Sequence, residues 1–211
     1  MSAQKIEFIA VDFQKDFTLP NRACYVKGDS IDFIKKTLVP YLVDKKIKVH
    51  EIISDYRLPR LKSKGKCCNP NDDGFESDLP VSVKHENPWL KCMHSPLWTR
   101  KNIGLSGVRP GTPYQDPALF DQWLKEHIGV PTGDKLVVLF GLTMEICVLS
   151  VAQELYFRGY RVVVVYECTD PMNERLKYKE FIAYHSSLSL YAKAITFEEL
   201  MTLIDGDDIN G

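Results

Sequence analysis

The stretch KLVVLFGLTMEICVLSVAQELYFRGYRVVVVY, residues 135–166, decides the fold class. It begins and ends with runs that are apolar on both faces, 135–140 and 161–166, as is typical of parallel strands covered by helices. The segment between them carries apolar side chains at helical spacing, at Val148, Val151, Ala152 and Leu155. Gly159 stands where such a helix ends. The stretch therefore predicts a strand, a helix and a second, parallel strand.

Further strands and helices are predicted on both sides of this unit. Residues 6–11 and 48–53 read as strands, and a short strand is expected near 192–195. A helix is predicted after Asp116, with Asp116 as N-cap, proline at its first position and Gly129 just past its end. The alternation of strands and helices predicts an α/β fold, a three-layer α/β/α sandwich around a mostly parallel sheet.

Two more helices carry local signals. A helix beginning near Ser30 should be kinked or shortened by Pro40. Thr196 and Glu199 have the spacing of a capping box for a final helix.

The composition indicates one globular domain over residues 1–211. Hydrophobic residues make up 45% of the chain, charged residues 26%, and the formal net charge is -1, which excludes a disordered chain and disfavours nucleic acid as a partner. The N-terminus lacks the pattern of a signal peptide, and no run approaches the ~20 apolar residues of a membrane span. We expect a cytoplasmic protein without membrane contact, in which most of the six cysteines are free thiols.

Residues 56–98 break the pattern and are predicted to form an irregular insertion or lid. Arg57, Arg60, Trp89 and Trp98 are candidate substrate contacts there, because an arginine binds a carboxylate bidentately, although a solvated surface is the ordinary alternative. A zinc site is a weaker hypothesis because the thiols lack the usual pair spacing; its candidate ligands are Cys67, Cys68, Cys92 and His94, with His85 as a further one.

Chemically useful side chains follow three predicted strands. Asp12 and Gln14 follow the first, Asp55 the second, and Cys147 the strand ending at Phe140. In open α/β sheets the ligand crevice lies at the carboxyl ends of the strands, so we expect these groups to meet. A thiol in the first turn of a helix is expected to have a lowered pKa, whereas a buried core cysteine is the ordinary alternative.

An activated thiol needs a base and a cation. Asp12 is the candidate base and Lys101 the candidate cation for Cys147. Arg100 is adjacent, and only one of the two basic side chains can face the crevice if they lie on a strand. Lys101 is preferred, because the pKa of an ammonium group can shift.

These residues occur in a familiar order. VDFQKDF (11–17), a lysine shortly before a glycine-rich segment, and GLTMEICV (141–148) followed by GYRVVVV (159–165) resemble the isochorismatase-like cysteine hydrolases. That family includes nicotinamidases and N-carbamoylsarcosine amidases. The pattern extends through most of the chain.

The resemblance implies a catalytic triad of Asp12, Lys101 and Cys147. It also implies a cis peptide bond between Leu142 and Thr143, with the backbone N–H groups of Thr143 and Cys147 as an oxyanion hole. Gln14 would orient the site, and Phe17 would line its floor.

The sequence also departs from the family. Nicotinamidases place an Asp-x-His metal motif after the second strand, where this chain has Asp55, Tyr56 and Arg57. A guanidinium cannot ligate a metal, so we expect no metal and no organic cofactor. Isochorismatases that cleave a vinyl ether lack the nucleophilic cysteine, which this chain keeps.

The function predicted from the sequence is a cysteine-dependent hydrolase of a C–N bond in a small amide or carbamoyl compound, acting through a Cys147 thioester. The alternatives are a catalytically silent binding or scaffold member of the same fold and, more weakly, a metal-dependent nicotinamidase. A magnesium phosphohydrolase is disfavoured because Asp12 and Asp16 do not form a D-x-D pair. Dimers or tetramers are common among proteins of this fold, so a homo-oligomer is expected.

Overall fold

A computed structural model describes residues 5–61, 64–172 and 176–208. Its strands, in chain order, are β1 Lys5–Val11, β2 Val49–Ser54, β3 Trp89–Lys91, β4 Trp98–Thr99, β5 Tyr114–Gln115, β6 Lys135–Leu142, β7 Arg161–Asp170 and β8 Lys193–Ile195. Six of them form one parallel sheet in the order β3-β2-β1-β6-β7-β8. β4 and β5 form a separate antiparallel pair.

Helices cover both faces of this sheet. They are α1 Lys15–Thr18, α2 Ser30–Phe33, α3 Val39–Asp44, α4 Pro117–His127, α5 Leu149–Phe157, α6 Leu176–His185, α7 Leu188–Tyr191 and α8 Phe197–Asp208. One apolar core joins the sheet to α4, α5, α6 and α7, and a second joins it to α2, α3 and α8. The predicted three-layer α/β/α sandwich is therefore confirmed.

Strand β6 shows why apolar runs rather than alternating ones mark this sheet. All of its residues are buried. Val137 and Leu139 enter the first core, whereas Leu136, Val138 and Phe140 enter the second. Because side chains alternate across a strand, a strand between two helical layers must be apolar at successive positions.

The predicted helix signals act as expected. The carboxylate of Asp116 accepts a hydrogen bond from the Leu119 amide at 3.0 Å, and Gly129 has φ 82° just past α4. Thr196 and Glu199 form the reciprocal capping box of α8. The prediction for Pro40 differs from the structure, because the helix is not shortened there and continues through α3 to Asp44. It widens into a π-helical turn, Ile34–Leu38, just before α3, in which Pro40 has no N–H to donate.

The segment predicted as an irregular insertion contributes a strand to the main sheet. β3 pairs with β2 so that Lys91 lies opposite Ser54. A strand of three residues is too short to show periodicity, which is why its sequence gives no clear signal.

Four of the six cysteines are free, as expected, and the other two are paired. Cys24 and Cys67 form a disulfide with their Cα atoms 6.2 Å apart, within the ordinary range for such a bond. Cys68, Cys92, Cys147 and Cys168 are free and buried. No helix in the described part of the chain is long and apolar enough to cross a membrane.

Candidate active site

The carboxyl ends of four neighbouring strands bring the candidate site together. Asp12 follows β1, Ser54 ends β2, Lys91 ends β3, and Cys147 lies in the helical turn after β6. Asp12 has a left-handed backbone, φ 52°, which aspartate tolerates better than most residues. The order of these strands, β3-β2-β1-β6, makes the four groups neighbours although they are distant in the sequence.

Asp12 and Lys91 form a buried ion pair. Lys91 Nζ lies 2.7 Å from Asp12 Oδ2, and both side chains are almost completely buried. Ser54 joins them, because its hydroxyl donates to Asp12 Oδ1 at 2.8 Å and accepts from Lys91 at 2.7 Å. Burial alone would lower the pKa of Lys91, but the acidic groups around it, Asp12 foremost, hold that pKa well above its ordinary value.

The thiol of Cys147 lies against this pair. Its Sγ is 3.5 Å from Lys91 Nζ, 3.4 Å from Tyr56 Oη and 3.6 Å from His94 Nδ1. Lys91 also donates to Tyr56 Oη at 3.0 Å. An ammonium group can only donate, so Lys91, Tyr56 and the sulfur form a chain of polar contacts that ends on the candidate nucleophile.

Burial reverses the pKa shift expected for Cys147 from its helix position. Burial raises the pKa of the Cys147 thiol to about 12, although the charge of Lys91 opposes the change. The thiol is therefore protonated at neutral pH, and the expectation of a lowered pKa is wrong because desolvation outweighs the helix terminus. A reactive thiolate at this position needs an internal base.

Two neighbours of the thiol are neutral. Burial raises the pKa of Tyr56 well above 10, so its phenol keeps its proton. Burial, together with the charges of Arg60 and Lys91, lowers the pKa of His94 to about 4.

The structure does not bring Lys101 to this cluster. Lys101 is exposed in a turn after β4, and the cation beside Asp12 and Cys147 is Lys91. Arg100 is buried but donates to the backbone carbonyls of Asp55 and Arg57 instead. Functional side chains are expected at the carboxyl ends of strands, and Lys91 lies at such an end. It was not predicted because β3 itself was not recognised in the sequence.

Arg57 does not face the cavity either. Its guanidinium binds both carboxylate oxygens of Asp55, at 2.9 and 2.6 Å. Its remaining donors reach the backbone carbonyls of Asn102, Leu105 and Val108. The guanidinium therefore stabilises a loop through these hydrogen bonds, and Arg57 is not placed to contact a substrate.

Of the other predicted contacts, Phe17 and Arg60 line the cavity, whereas Trp89 is buried in the first apolar core. Gln14 is buried and is not among the lining residues; its amide exchanges two hydrogen bonds with the Ser54 backbone and donates a third to the Phe75 carbonyl. Trp98 lies on β4, away from the residues that line the cavity. Gln14 therefore supports the β2 end of the site.

The candidate zinc ligands are dispersed. Cys67 is bonded to Cys24, Cys92 Sγ lies against the Thr99 carbonyl, and His94 contacts Cys147. Among the described residues, no three His, Cys, Asp or Glu side chains are grouped to hold a metal ion.

The thiol opens into a cavity of about 490 Å³. Both Thr143 and Cys147 line it, and the peptide bond between Leu142 and Thr143 is cis. The remaining lining residues include aromatic and basic groups and both partners of the disulfide, namely Phe17, Tyr25, Tyr56, Arg60, Lys64, Lys66, Cys24 and Cys67. Sequence reasoning missed Lys91, Ser54 and the contact of Tyr56 with the thiol.

Comparison with known proteins gives the same fold. The chain is similar to a cysteine hydrolase from Pseudomonas syringae, with TM-score 0.67, 13% identity, and coverage of 98% of this chain and 95% of that one. It is also similar to the nicotinamidase/pyrazinamidase of Bacillus subtilis, with TM-score 0.61, 18% identity, and coverage of 90% of this chain and 98% of that one. A third similar structure is the N-carbamoylsarcosine amidase of Thermoplasma acidophilum, with TM-score 0.57, 18% identity, and coverage of 91% of this chain and 96% of that one.

A family model gives a match over part of the chain. The isochorismatase domain model matches residues 118–197, which include Cys147. No curated protein matches the chain by sequence. The resemblance predicted from the sequence is confirmed: residues 118–197 match an isochorismatase domain, and the chain has the fold of the isochorismatase-like hydrolases.

Proposed function

We propose that the protein is a cysteine-dependent hydrolase that cleaves a C–N bond in a small amide or carbamoyl compound. Asp12, Lys91 and Cys147 are its reacting groups. The observation that carries this proposal is the position of Lys91 Nζ, which contacts Asp12 at 2.7 Å and Cys147 Sγ at 3.5 Å beside the cavity.

The first half of the reaction forms a thioester. The Cys147 proton passes to the Asp12 carboxylate as the sulfur attacks the substrate carbon, and the C=O electron pair moves to oxygen. The backbone N–H groups of Thr143 and Cys147 are the proposed donors to this oxyanion. Asp12 then returns the proton to the leaving nitrogen, the C–N bond breaks, and ammonia or an amine departs.

The second half releases the acyl group. Asp12 takes a proton from water, the hydroxide adds to the thioester carbon, and the C–S bond breaks to leave an acid product. The thiolate then recovers the proton from Asp12. Lys91 remains an ammonium throughout and offsets the negative charge shared by Asp12 and Cys147.

Tyr56 has a defined part in this scheme. A thiolate carries no proton, so a hydrogen bond between Tyr56 Oη and Sγ must then be donated by the phenol. Because Lys91 already donates to Oη, the phenol proton is directed away from Lys91 and towards the sulfur. Tyr56 thus supplies a second stabilising contact to the nucleophile.

The test is ammonia release from a panel of small amides, ureas and carbamoyl amino acids. We expect release from at least one compound by the wild-type protein, none above background by Cys147→Ala, and unchanged release by Cys168→Ala, a buried cysteine outside the cavity. Equal release by the wild-type protein and Cys147→Ala would contradict the proposal. No release from any compound, with an inert Cys147, would favour the silent binding alternative.

A further inference from the structure

Three cations line the cavity that holds Cys147, and we call Arg60, Lys64 and Lys66 the basic rim. The only carboxylate among the described lining residues is Asp12, which is already paired with Lys91. His94 adds no positive charge at neutral pH because its pKa is about 4. The described residues that line the cavity therefore carry an excess of positive charge, although the whole chain has a formal net charge of -1.

Arg60 is a member of the basic rim that contacts a neighbour of the thiol. Its guanidinium carbon lies 3.6 Å from the centroid of the Tyr56 ring. Tyr56 Oη in turn contacts Cys147 Sγ, so one phenol ring separates Arg60 from the nucleophile. The charge of Arg60 also contributes to the lowered pKa of His94, whose Nδ1 is 3.6 Å from Sγ.

Arg60 has a buried hydrogen-bond donor, its Nε, without a partner among the described residues. Stacking on Tyr56 occupies the face of the guanidinium and leaves the donors at its edge available. A buried donor without a partner is costly, and a carboxylate is the group that an arginine edge binds best.

We propose that the substrate carries an anionic group, such as a carboxylate, a few bonds from its amide or carbamoyl carbon, and that Arg60 binds this group. This inference rests on the proposed function and deepens it by naming the substrate class. Arg57 and Arg100 cannot take the same part, because both are bound to the protein backbone. A cavity of about 490 Å³ is large enough for such a small molecule.

The first experiment compares two alkylating probes that differ only in charge. Iodoacetate carries a carboxylate where iodoacetamide carries a carboxamide. The rate constant for iodoacetate at Cys147 is divided by that for iodoacetamide. This ratio is then normalised by dividing it by the same ratio measured for free cysteine. One charged hydrogen bond predicts a normalised ratio of about ten, which should fall as salt is added.

Variants assign the preference to Arg60. Arg60→Gln should bring the normalised ratio close to one, Arg60→Lys should keep much of it, and Arg109→Gln should leave it unchanged. Arg109 is the matched control because it is exposed and outside the cavity. A normalised ratio of about one in the wild-type protein, unaffected by Arg60→Gln, would overturn the inference.

The second experiment does not depend on thiol reactivity. Succinamate and succinamide are titrated into Cys147→Ala, where we expect succinamate to bind about tenfold more tightly and the addition of Arg60→Gln to remove the difference. Equal binding, or no binding of succinamate at millimolar concentration, would count against an anionic substrate. An inert Cys147 in a protein that still prefers succinamate would instead refute the hydrolase and leave the charge preference standing.

Discussion

Two buried ion pairs, Asp55–Arg57 and Asp12–Lys91, lie at the ends of neighbouring strands. They differ in which groups their cations contact besides the paired carboxylate. In the pair Asp55–Arg57, the guanidinium donors end on Asp55 and on backbone carbonyls. In the pair Asp12–Lys91, the ammonium reaches beyond its carboxylate to Tyr56 and to the thiol of Cys147. The cation of the first pair uses its donors on its own carboxylate and on the backbone, so this pair stabilises the fold. The cation of the second pair also contacts a thiol, so this pair is available for chemistry.

The largest effect should follow from removing the proposed base. Asp12→Asn keeps the size of the side chain but loses the carboxylate that we propose accepts the thiol proton, so we expect kcat/KM for ammonia release to fall roughly 10²- to 10⁴-fold. Asp55→Asn is the matched control and should keep its activity per folded molecule. Equal losses in the two variants would show that the pairs do not differ as described.

The complementary change breaks the structural pair. Arg57→Gln leaves the Asp55 carboxylate buried without its partner and should lower the free energy of unfolding by about 3–5 kcal/mol. Urea unfolding measures the loss. The alkylation rate of Cys147 in the folded fraction should be unchanged. A slowed thiol in a protein of unaltered stability would move Arg57 into the reacting group.

The fold was predictable from the sequence because its signals are local and repeated. The apolar runs of β6 and β7 and the cap at Asp116 depend on neighbouring residues alone. Asp12 and Cys147 could be placed because each follows a recognisable strand. Their chemical roles remain proposals.

Lys91 was missed for a physical reason. It ends a strand of three residues within a segment rich in proline, where no periodicity marks the strand. The misplaced cation, Lys101, lies only ten positions further along, but it is exposed. The same limit applies to Arg57, because only the folded loop shows that backbone carbonyls occupy its donors.

A smaller effect should follow from changing the last contact of the reacting pair. Tyr56→Phe removes one hydrogen bond to the thiolate and should slow both ammonia release and alkylation of Cys147 roughly 10- to 100-fold. Tyr25→Phe is the control, since Tyr25 lines the same cavity but is not among the described side chains that contact the sulfur, Tyr56, Lys91 and His94. If both variants behaved like the wild-type protein, the phenol would have no part in stabilising the thiolate.

The smallest effect expected is that of pH on the rate at which Cys147 is alkylated. The pKa of Cys147 is about 12, and in the proposed mechanism its thiolate forms by internal proton transfer to Asp12, which changes no net charge. The alkylation rate should therefore be nearly constant between about pH 6 and 9, whereas an ordinary thiol gains about tenfold per unit below its pKa of about 8.5. A tenfold rise per unit at Cys147 would mean that the thiol loses its proton to solvent and not to Asp12.

The most direct test of the account compares the two lysines. Lys91→Gln and Lys101→Gln carry the same substitution, one beside the thiol and one on the surface. The rate of Cys147 alkylation by iodoacetamide at neutral pH, read by peptide mapping, should fall roughly 100-fold or more in Lys91→Gln and stay at the wild-type value in Lys101→Gln. A wild-type rate in Lys91→Gln, or a loss confined to Lys101→Gln, would contradict the assignment of Lys91 to the reacting group.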